Sequence, residues 1–413
     1  MEKSNYNKAK FIFTCVLLIG NLNAAYANQP FVSEKLILSE GNASSITNAI
    51  SSDGKVISWN YDASSLEGLP FSSYQHKATI LSGDNWNKKI EVKTLRVNNS
   101  GMAGIWALSN DGKIAAGYSF SDKQEGKFIR AVVWSGKNWA TKTDLGTLQK
   151  DNLGNSYVTA LSADGKIAGG NSTSDVLWGR AVIWSGENWA TKTDLGTLKK
   201  DNSGDASVNA VSADGTIVAG SSVSDSLPNM ILEKLPPRAI IWSGPNWVTK
   251  TDLGTLRKDN TGVAFVTGLS ADGKIAAGGA AIEPASGGIS PEGGVVTQAV
   301  IWSGENWATK TRLGTLRKDN LGISQVYKLS SDGKIAVGYA ETDSKSLHAI
   351  IWSGENWATK TDLGTFRNDN SGASEIKGIS ADGTIVVGAS TTENGKKNAV
   401  LWKIVYPASE ETN

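Results

Sequence analysis

Few side chains of this chain have the type and spacing that catalysis requires. The chain contains two histidines, His76 and His348. His348 occupies a position that recurs along the chain and is filled elsewhere by different residues, namely Arg130, Arg180, Arg238, Gln298 and Asn398. A catalytic base must meet its substrate in one defined arrangement, so this variation argues against a base at His348. The sequence motifs of serine hydrolases, zinc proteases and phosphate-binding loops are absent.

Carboxylates are abundant, and their spacing leaves one catalytic alternative open. The chain has 40 acidic residues, and a glycan hydrolase needs only two of them, roughly 5 to 10 Å apart across a sugar. Many recur in two repeated motifs, Ser-x-Asp-Gly and Asp-Asn-x-Gly. Asp-Gly favours a tight turn because its glycine tolerates a positive φ. Neither motif has the ligand spacing of a calcium loop, so we predict structural turns, no metal site and no cofactor.

Another group of residues has the chemistry of a binding surface. Large aromatic or apolar side chains lie in stretches that differ from one repeat to the next: Trp59, Tyr61, Phe71, Phe120, Phe128, Trp178, Met230 and Ile231. Exposed aromatic residues on a rigid scaffold commonly contact proteins or glycans. We therefore predict that these residues gather on one face of the fold and bind a protein or a glycan. The alternative is that they cover that face and pack on one another.

The elements that would position these residues come from an internal repeat. The dipeptide Asp-Gly recurs seven times, 50 to 60 residues apart, at Asp53, Asp111, Asp164, Asp214, Asp272, Asp332 and Asp382. A second block, Ala-Val-Ile-Trp-Ser-Gly-Glu-Asn-Trp, and a third, Asp-Leu-Gly-Thr-Leu, recur with the same rhythm. Repeats of this length indicate an array of similar structural units.

Each repeat contains four short segments with strand character. The first ends at the Ser-x-Asp-Gly turn, and the second alternates large and small residues, as at 335–338. The third is apolar throughout, as a strand covered on both faces requires. The fourth is predicted to start at Trp189 in one copy and to run to Leu198, so that Trp184 and Trp189 face each other across a hairpin. Four antiparallel strands in each repeat predict a propeller blade.

The two ends of the repeat array favour a closed ring. The last repeat stops near Tyr406 without a fourth strand, and residues 34–39 form a segment that belongs to no other repeat. If that segment supplies the missing outer strand, no sheet edge stays open. We therefore predict an all-β fold, a β-propeller of seven four-stranded blades closed by pairing of the N- and C-terminal strands, over residues 28–407. A short polar tail follows at 408–413. An open β-helix is the alternative, but it would need shorter repeats and caps at both ends.

The first 27 residues have the features of a secretory signal peptide. Three lysines precede an apolar run over residues 11–20, and Ala25-Tyr26-Ala27 forms a small-residue cleavage site. Cleavage after Ala27 would remove Cys15, the single cysteine, and with it any disulfide or cysteine nucleophile. We expect export to the periplasm, the cell surface or the medium. No later segment is apolar enough for a membrane-spanning helix, and a net charge of +1 gives no reason to expect a nucleic-acid partner.

The repeat W-S-G-x-N-W-x-T-K-T-D-L-G-T-L, followed by D-N-x-G and S-A-D-G-x-I-x-x-G, resembles a known family. It is similar to the HAF-type extracellular repeat of bacterial exported proteins, which also occurs in passenger regions of some autotransporters, and the similarity covers roughly residues 34–406. The resemblance implies export and a surface location. An autotransporter would add a C-terminal membrane barrel, whereas eleven residues follow Trp402. We therefore expect a periplasmic or released form as readily as an anchored one.

These features predict an exported binding module without enzymatic activity, adhesin-like in character, whose partner is an extracellular or envelope protein or a glycan. In a propeller, the variable connections between second and third strands lie on the same face as the Asp-Asn-x-Gly links between blades, and we expect binding there. Two alternatives stay open. One is a glycan hydrolase with a carboxylate pair on that face, and the other is an envelope scaffold that binds another protein through its rim.

Overall fold

A computed structural model describes residues 29–39, 44–62, 76–123, 128–176, 179–225, 237–283 and 296–407. Within these residues the chain forms seven antiparallel sheets of four strands each. Each sheet is one blade, and the blades stand in a ring. This arrangement confirms the predicted all-β, seven-bladed β-propeller. In the described part of the chain, no helix has the length and hydropathy that crossing a bilayer demands. The predicted signal peptide and the polar tail lie outside the described residues.

Each blade runs from an inner strand beside the ring axis to an outer strand at the rim. The inner strands are β2 (Ser45–Ile50), β6 (Ala103–Leu108), β10 (Ser156–Leu161), β14 (Ala206–Val211), β18 (Ala264–Leu269), β22 (Ser324–Leu329) and β26 (Ser374–Ile379). The second strands are β3 (Ile57–Asp62), β7 (Ala115–Phe120), β11 (Ala168–Thr173), β15 (Val218–Ser222), β19 (Ala276–Ala281), β23 (Ala336–Glu341) and β27 (Ile385–Thr391).

The third and outer strands complete the blades. The third strands are β4 (His76–Ser82), β8 (Ile129–Ser135), β12 (Gly179–Ser185), β16 (Arg238–Ser243), β20 (Thr297–Ser303), β24 (Leu347–Ser353) and β28 (Lys397–Val405). The outer strands are β5 (Lys88–Glu91), β9 (Thr141–Asp144), β13 (Thr191–Asp194), β17 (Thr249–Asp252), β21 (Thr309–Arg312), β25 (Thr359–Gly364) and, in the seventh blade, β1 (Phe31–Ile37). In the first six blades a 3-10 turn joins the third strand to the outer strand: Asp84–Trp86, Lys137–Trp139, Glu187–Trp189, Pro245–Trp247, Glu305–Trp307 and Glu355–Trp357.

The Ser-x-Asp-Gly turns form a continuous ring of backbone hydrogen bonds. The residue after serine donates its amide to the carbonyl of the same residue in the next blade, as Ala163 does to Ala213 at 2.9 Å. The last residue of the series donates back to the first, Ala381 to Ser52, at 2.9 Å. The full series is Ser52, Asn110, Ala163, Ala213, Ala271, Ser331 and Ala381. The ring of blades is therefore closed by backbone hydrogen bonds as well as by the packing of neighbouring blades.

Each of these turns is built by its own side chains. In the third blade, Ser162 Oγ donates to Asp164 Oδ1 at 2.8 Å, and the same oxygen accepts the amide of Lys166 at 3.0 Å. Gly165 has a φ of 71°, and a Cβ there would lie 2.6 Å from Ile114 of the preceding blade. Glycine is therefore needed for the backbone conformation and for the approach of the neighbouring blade.

The apolar core lies between neighbouring blades. In one of these clusters, Trp184 of β12 packs with Val133 and Leu145 of the preceding blade. The corresponding tryptophans of the other third strands are also fully buried: Trp134, Trp242, Trp302, Trp352 and Trp402. Burying a side chain of this size stabilises the fold by about 2–3 kcal/mol. The third strands are thus covered on both faces, as predicted.

The outer strands are shorter than predicted. In the third blade the outer strand covers Thr191–Asp194, and Trp184 pairs with Lys192. Trp189 lies in the preceding 3-10 turn with a φ of 54°, and its Nε1 donates to Gly165 O at 2.9 Å. The predicted tryptophan pair across the hairpin is wrong, because the second tryptophan connects two turns of the same blade instead.

The N-terminal strand completes the seventh blade, as predicted, although it covers Phe31–Ile37 rather than residues 34–39. It pairs antiparallel with β28, with Leu36 opposite Leu401. Lys35 Nζ donates to Thr365 O of the preceding blade at 2.9 Å. Outer-strand lysines of other blades make the same bond, as Lys192 does to Thr147 O. The strand from the other end of the chain therefore reproduces the outer strand in its pairing and in its contact with the neighbouring blade.

The two faces of the ring carry different connections. The turn face holds the Ser-x-Asp-Gly turns and the 3-10 turns. The loop face holds the connections from second to third strands and the Asp-Asn-x-Gly links, which confirms their predicted proximity. The amide of Lys150 in one link donates to Asp175 Oδ1 at 3.1 Å, in the connection after β11. Thr173, at the end of β11, donates its amide to Asn155 O at 2.9 Å.

Removal of β1 should open the ring. A variant lacking residues 29–37 would leave the edge of β28 unpaired, so we expect a marked fall in the midpoint of thermal unfolding and edge-to-edge self-association. Lys35→Met keeps the strand and loses one hydrogen bond, so it should cost only about 1 kcal/mol. Calorimetry and light scattering measure both effects. An unchanged midpoint for the shortened chain would show that β1 does not close the ring.

The turn aspartates should make stability sensitive to acid. The amide of Lys166, helped by the Ser162 hydroxyl, lowers the pKa of Asp164, and the pKa of the aspartate is lowered in the other six turns too. Because the folded-state pKa lies below the unfolded value of about 4, the stabilisation is present above that pH and is lost as the pH falls through the folded-state pKa. The free energy of unfolding in urea should therefore decrease between about pH 5 and about pH 2.

A variant with asparagine at several of these turn aspartates serves as the control. It should be less stable at neutral pH and should show a flatter dependence of the free energy of unfolding on pH. An equally steep dependence would mean that other groups cause the acid sensitivity.

Candidate functional site

Trp59, the first of the predicted binding residues, is buried. It lies in β3 with 5% of its surface exposed, at a position that is glycine in the other six blades. It packs with Ile57, Leu81 and Leu401 in the cluster between the seventh and first blades. The other clusters hold a third-strand tryptophan, but here that position is Leu81, so Trp59 supplies the indole. Trp59 is therefore a core residue and not part of an exposed surface, contrary to expectation.

The other predicted binding residues that the structure describes are partly buried near the loop face. The ring of Tyr61 lies 5.6 Å from that of Trp59, and burial raises the pKa of Tyr61. Phe120 ends β7, with the guanidinium of Arg96 5.1 Å from its ring centroid. Phe128 precedes β8. Four residues lie outside the described residues, so binding by this set stays a prediction: Phe71, Trp178, Met230 and Ile231.

A second set of non-repeating side chains lines the central channel. Alternate residues of each inner strand face the ring axis and form three layers. The floor layer, nearest the turn face, is aliphatic in every blade: Ile50, Leu108, Leu161, Val211, Leu269, Leu329 and Ile379. The middle layer is Asn48, Trp106, Thr159, Asn209, Thr267, Tyr327 and Lys377. The mouth layer, nearest the loop face, is Ile46, Gly104, Tyr157, Ser207, Phe265, Gln325 and Glu375. We call the middle and mouth layers together the channel mouth.

Part of the middle layer serves the scaffold. Thr159 Oγ1 donates to Val208 O of the next inner strand at 2.5 Å. Asn48, Asn209 and Thr267 make the same kind of bond to their own neighbours. These bonds join adjacent inner strands and leave the donors satisfied. The remaining three middle-layer residues do not make this bond between adjacent inner strands: Trp106, Tyr327 and Lys377.

One wall of the channel mouth, in the second and third blades, is aromatic. The ring centroid of Trp106 lies 5.0 Å from that of Tyr118 and 5.2 Å from that of Tyr157. Gly104 makes room for this group, because a Cβ there would lie 2.3 Å from Tyr118 Cε1. Burial raises the pKa of Tyr118 to about 12 and also raises the pKa of Tyr157. Both phenols are therefore neutral at physiological pH; Tyr118 is buried behind Trp106, whereas Tyr157 is partly exposed and offers a flat apolar face with a polar edge.

Another wall, in the sixth and seventh blades, is charged. Lys377 Nζ lies 2.7 Å from Glu375 Oε2 and 3.4 Å from the ring centroid of Tyr327. Lys397 pairs with the same carboxylate. Burial by itself would raise the pKa of Glu375, but the two lysines outweigh burial and hold the pKa below its ordinary value. A carboxylate kept ionised in this way is a poor general acid near neutral pH.

The inward-facing positions of the described inner strands do not supply the carboxylate pair of a glycan hydrolase. Glu375 is the single carboxylate on the inward-facing positions of the described inner strands, whereas a glycan hydrolase needs two. His348 is buried with Nδ1 3.0 Å from Asp362 Oδ2, where Arg180 contacts Asp194 at 3.1 Å in the third blade. His348 therefore takes the place of a scaffold arginine. No group of three or more potential ligand side chains occurs among the residues described.

The channel residues were not among the predicted binding residues, although the sequence carries a signal for them. The position five residues before each turn aspartate is successively Asn, Trp, Thr, Asn, Thr, Tyr and Lys. Such variation inside a strongly repeated segment marks a position that the repeated packing does not constrain. The neighbouring positions of the inner strand repeat from blade to blade, so this variable position is less conspicuous than the variable loops.

The similarity of this chain to known proteins is distant. No protein-family model and no curated protein matches it. TolB from Acinetobacter baumannii is 13% identical with a TM-score of 0.42, over 87% of this chain and 66% of that one, just under two thirds of its length. Prolyl oligopeptidase B from Galerina marginata is 11% identical with a TM-score of 0.47, over 94% of this chain and 51% of that one. A protein of unknown function from Dyadobacter fermentans is 10% identical with a TM-score of 0.40, over 91% and 99% of the two chains. Values this low transfer no activity, partner or location.

Trp59 and Trp106 should respond differently to truncation. Trp59→Ala empties part of the core, so the free energy of unfolding should fall by about 3–5 kcal/mol. Trp106→Ala should cost markedly less, because Trp106 lines the channel cavity and is partly exposed. Urea unfolding followed by circular dichroism measures both. Equal losses would contradict the assignment of Trp59 to the core and of Trp106 to the channel.

Proposed function

We propose that the protein is an exported binding module without enzymatic activity, whose channel mouth and surrounding loop face hold an extracellular or envelope protein or a glycan. The observation that carries this proposal is the contrast between repeated and unrepeated side chains. Repeated residues make the turns, the core and the bonds between blades. Apart from the four scaffold residues of the middle layer, the channel mouth gathers side chains that each occur in one blade only, and a single partner needs such an asymmetric surface.

The chemistry of the channel mouth suits recognition. Trp106 and Tyr157 present rings that can pack against a sugar or an apolar side chain, and tyrosine and tryptophan are frequent energetic anchors of interfaces. Tyr327 and the ion pair of Lys377 with Glu375 add hydrogen-bonding groups whose arrangement differs from that of the aromatic wall. An aromatic side and a charged side together favour one orientation of a bound partner.

Export is supported by the sequence rather than by the channel. Residues 1–27 have the organisation of a signal peptide, and the repeat resembles a family of extracellular bacterial proteins. The proposal therefore includes a location in the periplasm, at the cell surface or in the medium.

A glycan and extracellular-protein array probed with purified residues 28–413 tests the proposal. We expect specific capture that Trp106→Ala combined with Tyr157→Ala weakens at least about tenfold, as loss of an aromatic anchor does. Phe120→Ala distinguishes binding by the loop face from binding by the channel mouth, because it removes a ring near the loop face and leaves both walls of the channel mouth unchanged. Lys113→Ala is the matched control, since its side chain is 82% exposed on the turn face.

The outcomes discriminate between the alternatives. Capture of an envelope protein with no glycan captured would identify a scaffold role for the same surface. Capture that the channel-mouth variant retains and Lys113→Ala loses would place binding on the turn face and overturn the proposal. Release of sugar from a captured glycan would replace it with hydrolysis.

A further inference from the structure

Lys328 breaks the repeat at a position that is otherwise kept small. Each inner strand has a register shift against its second strand, and in β22 the shift lies between Val326 and Lys328. The residue equivalent to Lys328 is alanine or glycine in the other six blades: Ala49, Ala107, Ala160, Ala210, Gly268 and Gly378. The blade therefore forms without a long side chain at this position.

Lys328 lines a cavity inside the channel. The cavity has a volume of about 160 Å³, bounded by the aliphatic floor layer on one side and by Asn48, Trp106 and Thr159 of the middle layer on the other. A space of this size holds several waters or a small organic molecule. Apart from Lys328, every residue that lines it is uncharged.

The Lys328 ammonium has no partner of its own. No hydrogen bond or ion pair joins its Nζ to any described residue, and burial lowers its pKa with no carboxylate acting in the opposite direction. Lys377, the other lysine of the described inner strands, pairs instead with Glu375. Lys328 is only partly exposed, and its ammonium borders the channel without a counter-charge among the described residues. Its presence where six blades have a small residue therefore calls for an anionic partner.

We propose that Lys328 is the anion-binding group of a second site, inside the channel, which takes a small monocarboxylate with a compact apolar body. One ammonium matches one negative charge, and the aliphatic floor layer matches an apolar body. A phosphate or a dicarboxylate would bring a second charge for which the cavity lining offers no further cation. This site goes beyond the channel mouth, and it stands whether or not the channel mouth binds a macromolecule.

Calorimetric titration and thermal-shift measurements on residues 28–413 test this site. The probes are isobutyrate, benzoate and cyclohexanecarboxylate, each compared with its uncharged amide and with inorganic phosphate. At least one carboxylate should bind and raise the unfolding midpoint, and its amide should bind at least about tenfold more weakly. Lys328→Met, which keeps the volume and removes the charge, should lose this discrimination, whereas Lys113→Met should bind as the wild type does.

The free protein provides a second readout. Lys328→Ala restores the residue type of the other blades, so it should raise the unfolding midpoint in the absence of ligand while abolishing carboxylate binding. The proposal is overturned if none of the three carboxylates binds, if Lys328→Met binds them as the wild type does, or if phosphate binds more tightly. A lower midpoint for Lys328→Ala would show that the lysine serves the fold, which would also overturn it.

Discussion

Closure of the ring is the constraint on which the rest of the structure depends. Backbone hydrogen bonds run from turn to turn around the axis and return from Ala381 to Ser52, while β1 pairs with β28 to complete the last blade. In a closed ring each blade has a fixed space against both neighbours. Groups that lie between blades, such as the buried third-strand tryptophans and the turn glycines, must therefore be nearly the same in every copy, since close-packed interiors tolerate little change in volume.

The same constraint determines where the protein can vary. A side chain between two blades is packed on both sides, whereas an inward-facing side chain of an inner strand borders the open channel. Trp106 and Lys377 could therefore replace the threonine or asparagine of other blades without disturbing the packing between blades. The channel is thus the place where a repetitive fold becomes chemically asymmetric, and asymmetry is what recognition of a single ligand requires.

Charges in the channel are held in two different ways. Glu375 is compensated by Lys377 and Lys397, so this group is satisfied within the protein. Lys328 has no such compensation and faces a cavity with an aliphatic floor. Functional sites often keep a group that the fold alone would not favour, because binding restores what folding leaves unsatisfied. The charge of Lys377 is thus balanced within the channel mouth, whereas the charge of Lys328 has no partner among the described residues and is available to the anion that we propose.

Local patterns in the sequence determined the number of blades, the Ser-x-Asp-Gly turns, the covered third strands and the completion of the seventh blade by an N-terminal strand. Each of these depends on residue types repeated at a fixed spacing, and spacing can be read without coordinates. Only the tertiary structure decided that Trp59 lies in the core, because its burial depends on the smaller Leu81 of another strand. Likewise, only the structure showed Trp189 bonded to Gly165 and Lys328 alone in a cavity. Those outcomes depend on which side chains from distant parts of the chain meet once the ring has closed, and spacing along the chain does not encode such distances.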